Sequence, residues 1–228
     1  MSIASLSTKL LIAAGIFAVC SAGAVPPRPR VEFNPNAGMV VVYDAFPQRS
    51  RSAGFKVKQF DDKFKPMKSF TFDGGDMEGR LVTANDERVP VKIKIDKKSP
   101  TQLSAKLTVD TEEPFASSRL MYEQMIRFEP GVGVRVTVNG EETDYSLPFK
   151  PKQKYQKLFP IREDGGVTTI VIDAPKATWT ITGKFAVILQ DLRQWKSDAL
   201  QVRLMFTPYS GQITKASLEF NIAVTAKK

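Results

Sequence analysis

Apolar and polar residues alternate with a period of two along much of this chain. Phe55-Lys56-Val57-Lys58 alternates, and Val91-Lys92-Ile93-Lys94-Ile95 does so over five positions. Val132, Val134, Val136 and Val138 are interleaved with Gly133, Arg135 and Thr137. Successive side chains of a strand point to opposite faces, so these runs predict antiparallel strands with one face in a core and one in water. β-Branched runs at residues 40–42, 168–172 and 179–181 predict further strands. Residues 117–127 suit a helix or a strand, and Leu120, Tyr122 and Ile126 tip the reading to strand.

Turn signals punctuate the pattern at Asn34-Pro35-Asn36, Asp73-Gly74-Gly75-Asp76, Asn139-Gly140 and Asp164-Gly165-Gly166. They divide the chain into roughly fourteen candidate strands spaced about 8 to 14 residues apart. The predicted fold is an all-β, two-sheet antiparallel β-sandwich in a single domain, residues 31–228, with little helix apart from a signal peptide. Ile93, Val136, Ile170, Ile181, Leu204 and Phe220 are among its expected core residues. Residues 149–162 read as a long surface connection between strands.

The first 24 residues depart from this pattern. Lys9 precedes an apolar run from Leu10 to Val19, and Ala22-Gly23-Ala24 supplies the small residues that a signal peptidase accepts. The run is about ten residues, short of the ~20 that span a bilayer. Residues 1–24 are therefore expected to be a signal peptide cleaved after Ala24. Lipid attachment at Cys20 is the lesser alternative, because Val19 stands where a small residue is usual. Residues 25–30, Val-Pro-Pro-Arg-Pro-Arg, read as an extended Pro-rich lead-in. A periplasmic or extracellular protein is expected, not integral to the membrane once processed.

Composition narrows the chemistry. The chain has no histidine, and Cys20 is its one cysteine. Ser-His-Asp and Cys-His nucleophile systems are thus excluded, as are metal sites built on imidazole or thiolate. No cofactor and no metal are expected. Lys and Arg number 33 against 24 Asp and Glu, a formal net charge of +9. Loss of the leader removes Lys9 and leaves +8. Such a balance favours an anionic partner, with export making nucleic acid the least expected of these, or else serves only to keep an exported protein soluble.

Four constellations bear on function. Lys150, Lys152, Lys154, Lys157 and Arg162 surround Tyr155 without an intervening acid, a combination that could hold an anionic chain by charge and stacking, and that equally suits a solvated loop. Asp191, Arg193 and Trp195 would project from one face if the strand near Phe185 continued, offering an indole platform beside a charged pair. The same trio also suits an ion pair at a strand end. The acidic turn Asp73-Gly74-Gly75-Asp76 lacks the spacing of a calcium-binding loop. Asp61-Asp62, Glu112-Glu113 and Glu141-Glu142 are adjacent pairs, which strands would send to opposite faces, so no glycosidase-like carboxylate pair emerges.

Residues 132–148, with Val138-Asn139-Gly140 and Leu147-Pro148, resemble part of the accessory N-terminal β-sandwich that precedes the catalytic barrel in large bacterial glycoside hydrolases and related polysaccharide-degrading proteins. Trp179-Thr180-Ile181-Thr182-Gly183, Gln190-Asp191-Leu192-Arg193-Gln194-Trp195 and Leu200-Gln201-Val202-Arg203-Leu204 are similar to the same kind of domain. The resemblance implies a supportive or carbohydrate-contacting, non-catalytic role, here as a free-standing relative without the barrel. The expectation is therefore an exported, non-catalytic accessory module that contacts polysaccharide, anionic chains preferred. A structural or protein-interaction component of the cell envelope is the alternative. A polysaccharide-acting enzyme comes third, for want of an acid/base pair.

Overall fold

The computed structural model describes residues 29–34, 39–43, 53–58, 71–72, 78–82, 88–117, 121–127, 134–145, 156–197, 199–205 and 211–227. In chain order the strands are β1 (Arg30–Asn34), β2 (Met39–Tyr43), β3 (Ala53–Lys58), β4 (Thr71–Phe72), β5 (Glu78–Val82), β6 (Arg88–Ser99), β7 (Gln102–Ser117) and β8 (Met121–Arg127). They continue as β9 (Arg135–Val138), β10 (Glu141–Asp144), β11 (Gln156–Phe159), β12 (Thr168–Asp173), β13 (Ala177–Gly183), β14 (Ala186–Asp191), β15 (Ala199–Met205) and β16 (Gly211–Ala226). Among the described residues there is no α-helix, only a 3-10 turn at Leu192–Trp195.

Nine strands form one sheet in the order β10-β9-β12-β13-β16-β7-β6-β5-β4, and five form another, β11-β14-β15-β8-β3. Every pairing is antiparallel. The protein is the all-β sandwich that the period of two predicts. β1 and β2 make a separate ribbon, tied to the large sheet by a bond from the Val31 N–H to the Pro100 carbonyl.

Alternation explains how the large sheet contributes to the core. Leu103, Ala105, Leu107 and Val109 of β7 are buried, as are Leu218, Phe220, Ile222 and Val224 of β16. Directly opposed residues of an antiparallel pair share a face, and the register sets Leu218 against Leu107 and Phe220 against Ala105. In the second pair a large side chain meets a small one, which fills the layer without strain. The five-stranded sheet answers with Val187, Leu189, Leu200, Val202, Leu204, Tyr122 and Ile126 in the same hydrophobic cluster. Tyr122 tilts against Phe220 across the gap, with ring centroids 4.9 Å apart.

Two glycines have local causes. At the β9–β10 hairpin Asn139 and Gly140 both take positive φ, 50° and 88°, as a two-residue turn matching the strand twist requires. A Cβ on Gly183 would collide with the Glu219 carbonyl and the Phe185 ring, so the strands approach there only with glycine.

Several expectations need correction. The central strands of the small sheet are not half wet: every residue of β15, and five of the six of β14, are buried, on both faces. Ile188, Met121 and Met205 form a second cluster on its outward side, with Glu123, Gln201 and Arg203 buried on that face as well. Within the expected surface connection at 149–162, Gln156–Phe159 is strand β11, because Phe159 buries its ring and the segment pairs with β14. Arg30, placed in the lead-in, begins β1. Residues 121–127 do form a strand. The leader with Cys20 and the turn at 73–76 lie outside the described residues.

Candidate functional site

Asp191 is the last residue of β14 and faces the core, opposite Leu200 of β15. Its carboxylate accepts the backbone N–H of Arg193 at 3.0 Å, and this cap turns the chain into the 3-10 turn Leu192–Trp195. The strand does not continue, so Asp191, Arg193 and Trp195 do not share one face; of the two sequence readings, the ion pair at a strand end is the one found. A two-residue spacing on a strand becomes, through the capped turn, a fold-back of Arg193 onto Asp191.

The guanidinium closes on the same carboxylate. Arg193 Nε lies 3.0 and 3.1 Å from the two oxygens, and Nη2 lies 2.6 Å from Oδ2. Charge-assisted forks of this kind are short and directional. The side chains are 3% and 1% exposed, so the pair is shut off from any ligand. The far end of the turn is fixed too. Lys196 takes a left-handed conformation (φ 61°), the Lys196 N–H bonds the Arg193 carbonyl, and the Ser197 N–H bonds the Leu192 carbonyl.

Trp195 stands on this turn with 60% of its surface exposed, whereas Trp179 is fully buried in the core. Tryptophan is usually well covered, so an indole this open, on a turn whose backbone is bonded at both ends, stands out from the rest of the surface. Lys196 beside it is also exposed.

The basic stretch fares differently. Lys150, Lys152, Lys154 and Tyr155 lie outside the described residues. Lys157 does not form a free cationic rim: Nζ pairs with Glu141 and donates to the Thr143 hydroxyl, both on β10. It also sits 5.1 Å from the centre of the Phe159 ring. Lys157 therefore links the edge of the small sheet to the edge of the large one.

Two groups near these were not anticipated. Tyr145 is buried, and that burial pushes its phenol well above the ordinary tyrosine range, the Asp191 charge adding to the effect and Arg193 opposing it. Glu123 and Arg203, facing each other on β8 and β15, form a buried ion pair at 3.6 Å, and Arg203 also donates to Gln201. In sequence they resemble outward strand positions; only the cover on that sheet face sets them apart.

A shallow groove of about 280 Å³ lies on the outer face of the large sheet, lined by Lys98, Gln102, Ser104, Thr180, Thr182 and Asn221 among others. Its Asn221 oxygen is already engaged by the Ser104 hydroxyl at 2.6 Å. Among the described residues no three His, Cys, Asp or Glu side chains converge as a metal site would need.

No protein-family profile matches the sequence, and no curated protein matches it. The fold and this geometry define a class: an all-β sandwich that presents one braced, open indole at the end of a core strand.

Proposed function

We propose that this chain is an exported, non-catalytic binding module that holds polysaccharide against Trp195, anionic chains preferred. One observation carries the reading: Trp195 is 60% exposed on a turn fixed by the buried Asp191–Arg193 pair. An indole face stacks on the C–H face of a sugar ring, and bracing it beforehand lowers the entropy lost on binding. The exposed Lys196 and the formal +8 left once Lys9 goes with the leader supply attraction to acidic chains. The ion pair contributes by positioning the turn, not by touching sugar.

Affinity electrophoresis of the protein through gels carrying neutral or acidic polysaccharides, at low and high salt, tests this. The expected result is retardation by an acidic glycan that persists in part at high salt and is lost in Trp195→Ala. Retardation by every polyanion that vanishes with salt and is unchanged in Trp195→Ala would overturn it, since charge alone would then be responsible.

A further inference from the structure

We propose that the outer face of the large sheet carries a second glycan subsite. It takes an acidic sugar, with the hydroxyls in the groove over Ala223 and the carboxylate on Lys94 and Lys106. This assignment deepens the polysaccharide reading, on which it rests, with a site separate from Trp195. Trp195 follows β14 of the small sheet, whereas this face points away from that sheet. Leu103 of β7 and Ile222 and Val224 of β16 are buried in the core, so their neighbours Gln102, Ser104, Asn221 and Ala223 turn outward.

The strand register explains the groove. Ala223 stands directly between Thr180 of β13 and Gln102 of β7, and on the next rung Asn221 stands between Thr182 and Ser104. A methyl among longer side chains leaves a depression, and these residues line it. Its floor is therefore apolar, and its walls are hydroxyls and amides. The Ser104 hydroxyl donates to Asn221 Oδ1 at 2.6 Å, so within that pair the Asn221 amide nitrogen is left to donate and the Ser104 oxygen to accept. Sugar hydroxyls do both, and a wall offering both suits them. Lys98 at the margin is taken up by Asp96, so the two bring no net charge to the groove.

One rung beyond the groove the charges are arranged differently. Two residues past Ser104 on β7 is Lys106, and its directly opposed partner on β6 is Lys94. Both are exposed. Opposed Cβ atoms lie about 4.5–5.5 Å apart, and like charges set that way destabilise a sheet. Glu219, opposite Lys106 on β16, reaches it only at 3.7 Å with both side chains more than half exposed, a surface contact of the weak kind. An anion between the two ammonium groups removes their repulsion. Successive outward residues of a strand lie about 6–7 Å apart, so a carboxylate borne on a sugar in the groove comes within reach of the pair. A neutral sugar would leave the lysines unmatched, and a simple anion would leave the hydroxyl and amide walls unused. An acidic sugar engages both.

Calorimetric titration of the full chain with a panel of uronic-acid oligosaccharides, each also in carboxyl-reduced form, tests this. The parent is expected to bind an acidic oligosaccharide at two sites, and Trp195→Ala to keep one of them. Ala223→Leu, which fills the floor of the groove, should remove that remaining site. Lys94→Gln with Lys106→Gln should weaken it about tenfold, the scale of two exposed ion pairs, and carboxyl reduction of the ligand should weaken it as much in the parent. Lys94→Gln also relieves an opposed like charge, so the melting temperature should stay level or rise, which separates lost binding from lost folding. If Trp195→Ala abolished all binding, the second subsite would fall and the Trp195 reading would stand. A single site that ignores Trp195→Ala and is lost in Ala223→Leu would do the reverse. Binding at the second site that carboxyl reduction and the lysine substitutions leave undiminished would overturn the acidic-sugar assignment, and binding of none of the panel would overturn both readings.

Discussion

Asp191 and Arg193 form a doubly bonded ion pair two residues apart, buried at the end of a core strand. The carboxylate serves two partners at once, since it also accepts the Arg193 backbone N–H. The pair therefore determines the direction in which the chain leaves β14, and through that the attitude of Trp195.

Breaking one side of a buried pair leaves the other charge desolvated and unmatched, at about 3–5 kcal/mol. Asp191→Ala is expected to lower unfolding stability by about that much in a urea titration. Replacing both residues, Asp191→Leu with Arg193→Met, removes the charges together and should cost far less. The double variant should nevertheless lose its hold on glycan, because the cap that orients Trp195 is gone. A single variant as stable as the parent would show that the pair does not hold the turn.

The two tryptophans should separate cleanly. Trp179→Ala removes a fully buried indole and is expected to cost about 3–5 kcal/mol. Trp195→Ala changes an exposed residue and should stay within about 0.5 kcal/mol of the parent. In acrylamide quenching, the protein with Trp195 as its sole tryptophan (Trp179→Phe) should be strongly quenched, and the converse variant (Trp195→Phe) weakly. Equal quenching of the two would contradict the exposure difference.

Much of the sandwich was legible because burial on one face writes itself into the sequence as a period of two. Ile93, Val136, Ile170, Ile181 and Phe220 are buried where that period puts them. For the segment from Asp191 to Trp195 the sequence offered two shapes, a continued strand or an ion pair at a strand end, and did not choose between them. Alternating residue types look the same whether the strand continues or a carboxylate caps the second N–H onward. Arg203 and Gln201 show a related limit: alternation tells the two faces apart but not whether the outer one is covered, and both are buried. β11 was hidden by brevity, since only Phe159 of its four residues is buried. The basic run around it suggested an open cationic loop, whereas the acid that neutralises Lys157 lies on another strand, at Glu141.

Asp173 makes the acid limb of stability testable. Burial pushes its carboxyl upward, but hydrogen bonds from Lys227, Thr178 and Arg135 outweigh that and hold it below the usual carboxylate value. A depressed pKa in the folded state contributes stability that is present above the unfolded value, about 3.9, and is lost as pH falls through the folded one. Asp173→Asn should therefore destabilise the protein at neutral pH and flatten the decline below about pH 4. Parallel acid limbs in parent and variant would show that these three donors do not favour the ionised form.

Gln124 offers the reverse experiment, a gain. It lies on the inner face of β8, opposite Val202 of β15, and is 1% exposed. Neither its amide oxygen nor its amide nitrogen finds a hydrogen-bond partner among the described residues. An unpaired buried polar group costs about 1–3 kcal/mol, while an apolar side chain of similar shape carries no such penalty. Gln124→Met keeps the length and flexibility of the side chain and removes both polar atoms. It is expected to raise unfolding stability by about 1–3 kcal/mol, read as a higher urea midpoint at unchanged slope. Gln124→Ala separates the polar effect from packing, because it also deletes the amide but opens a cavity and should lower the midpoint. A drop in stability for Gln124→Met as large as that for Gln124→Ala would mean the amide is satisfied and holds the core together.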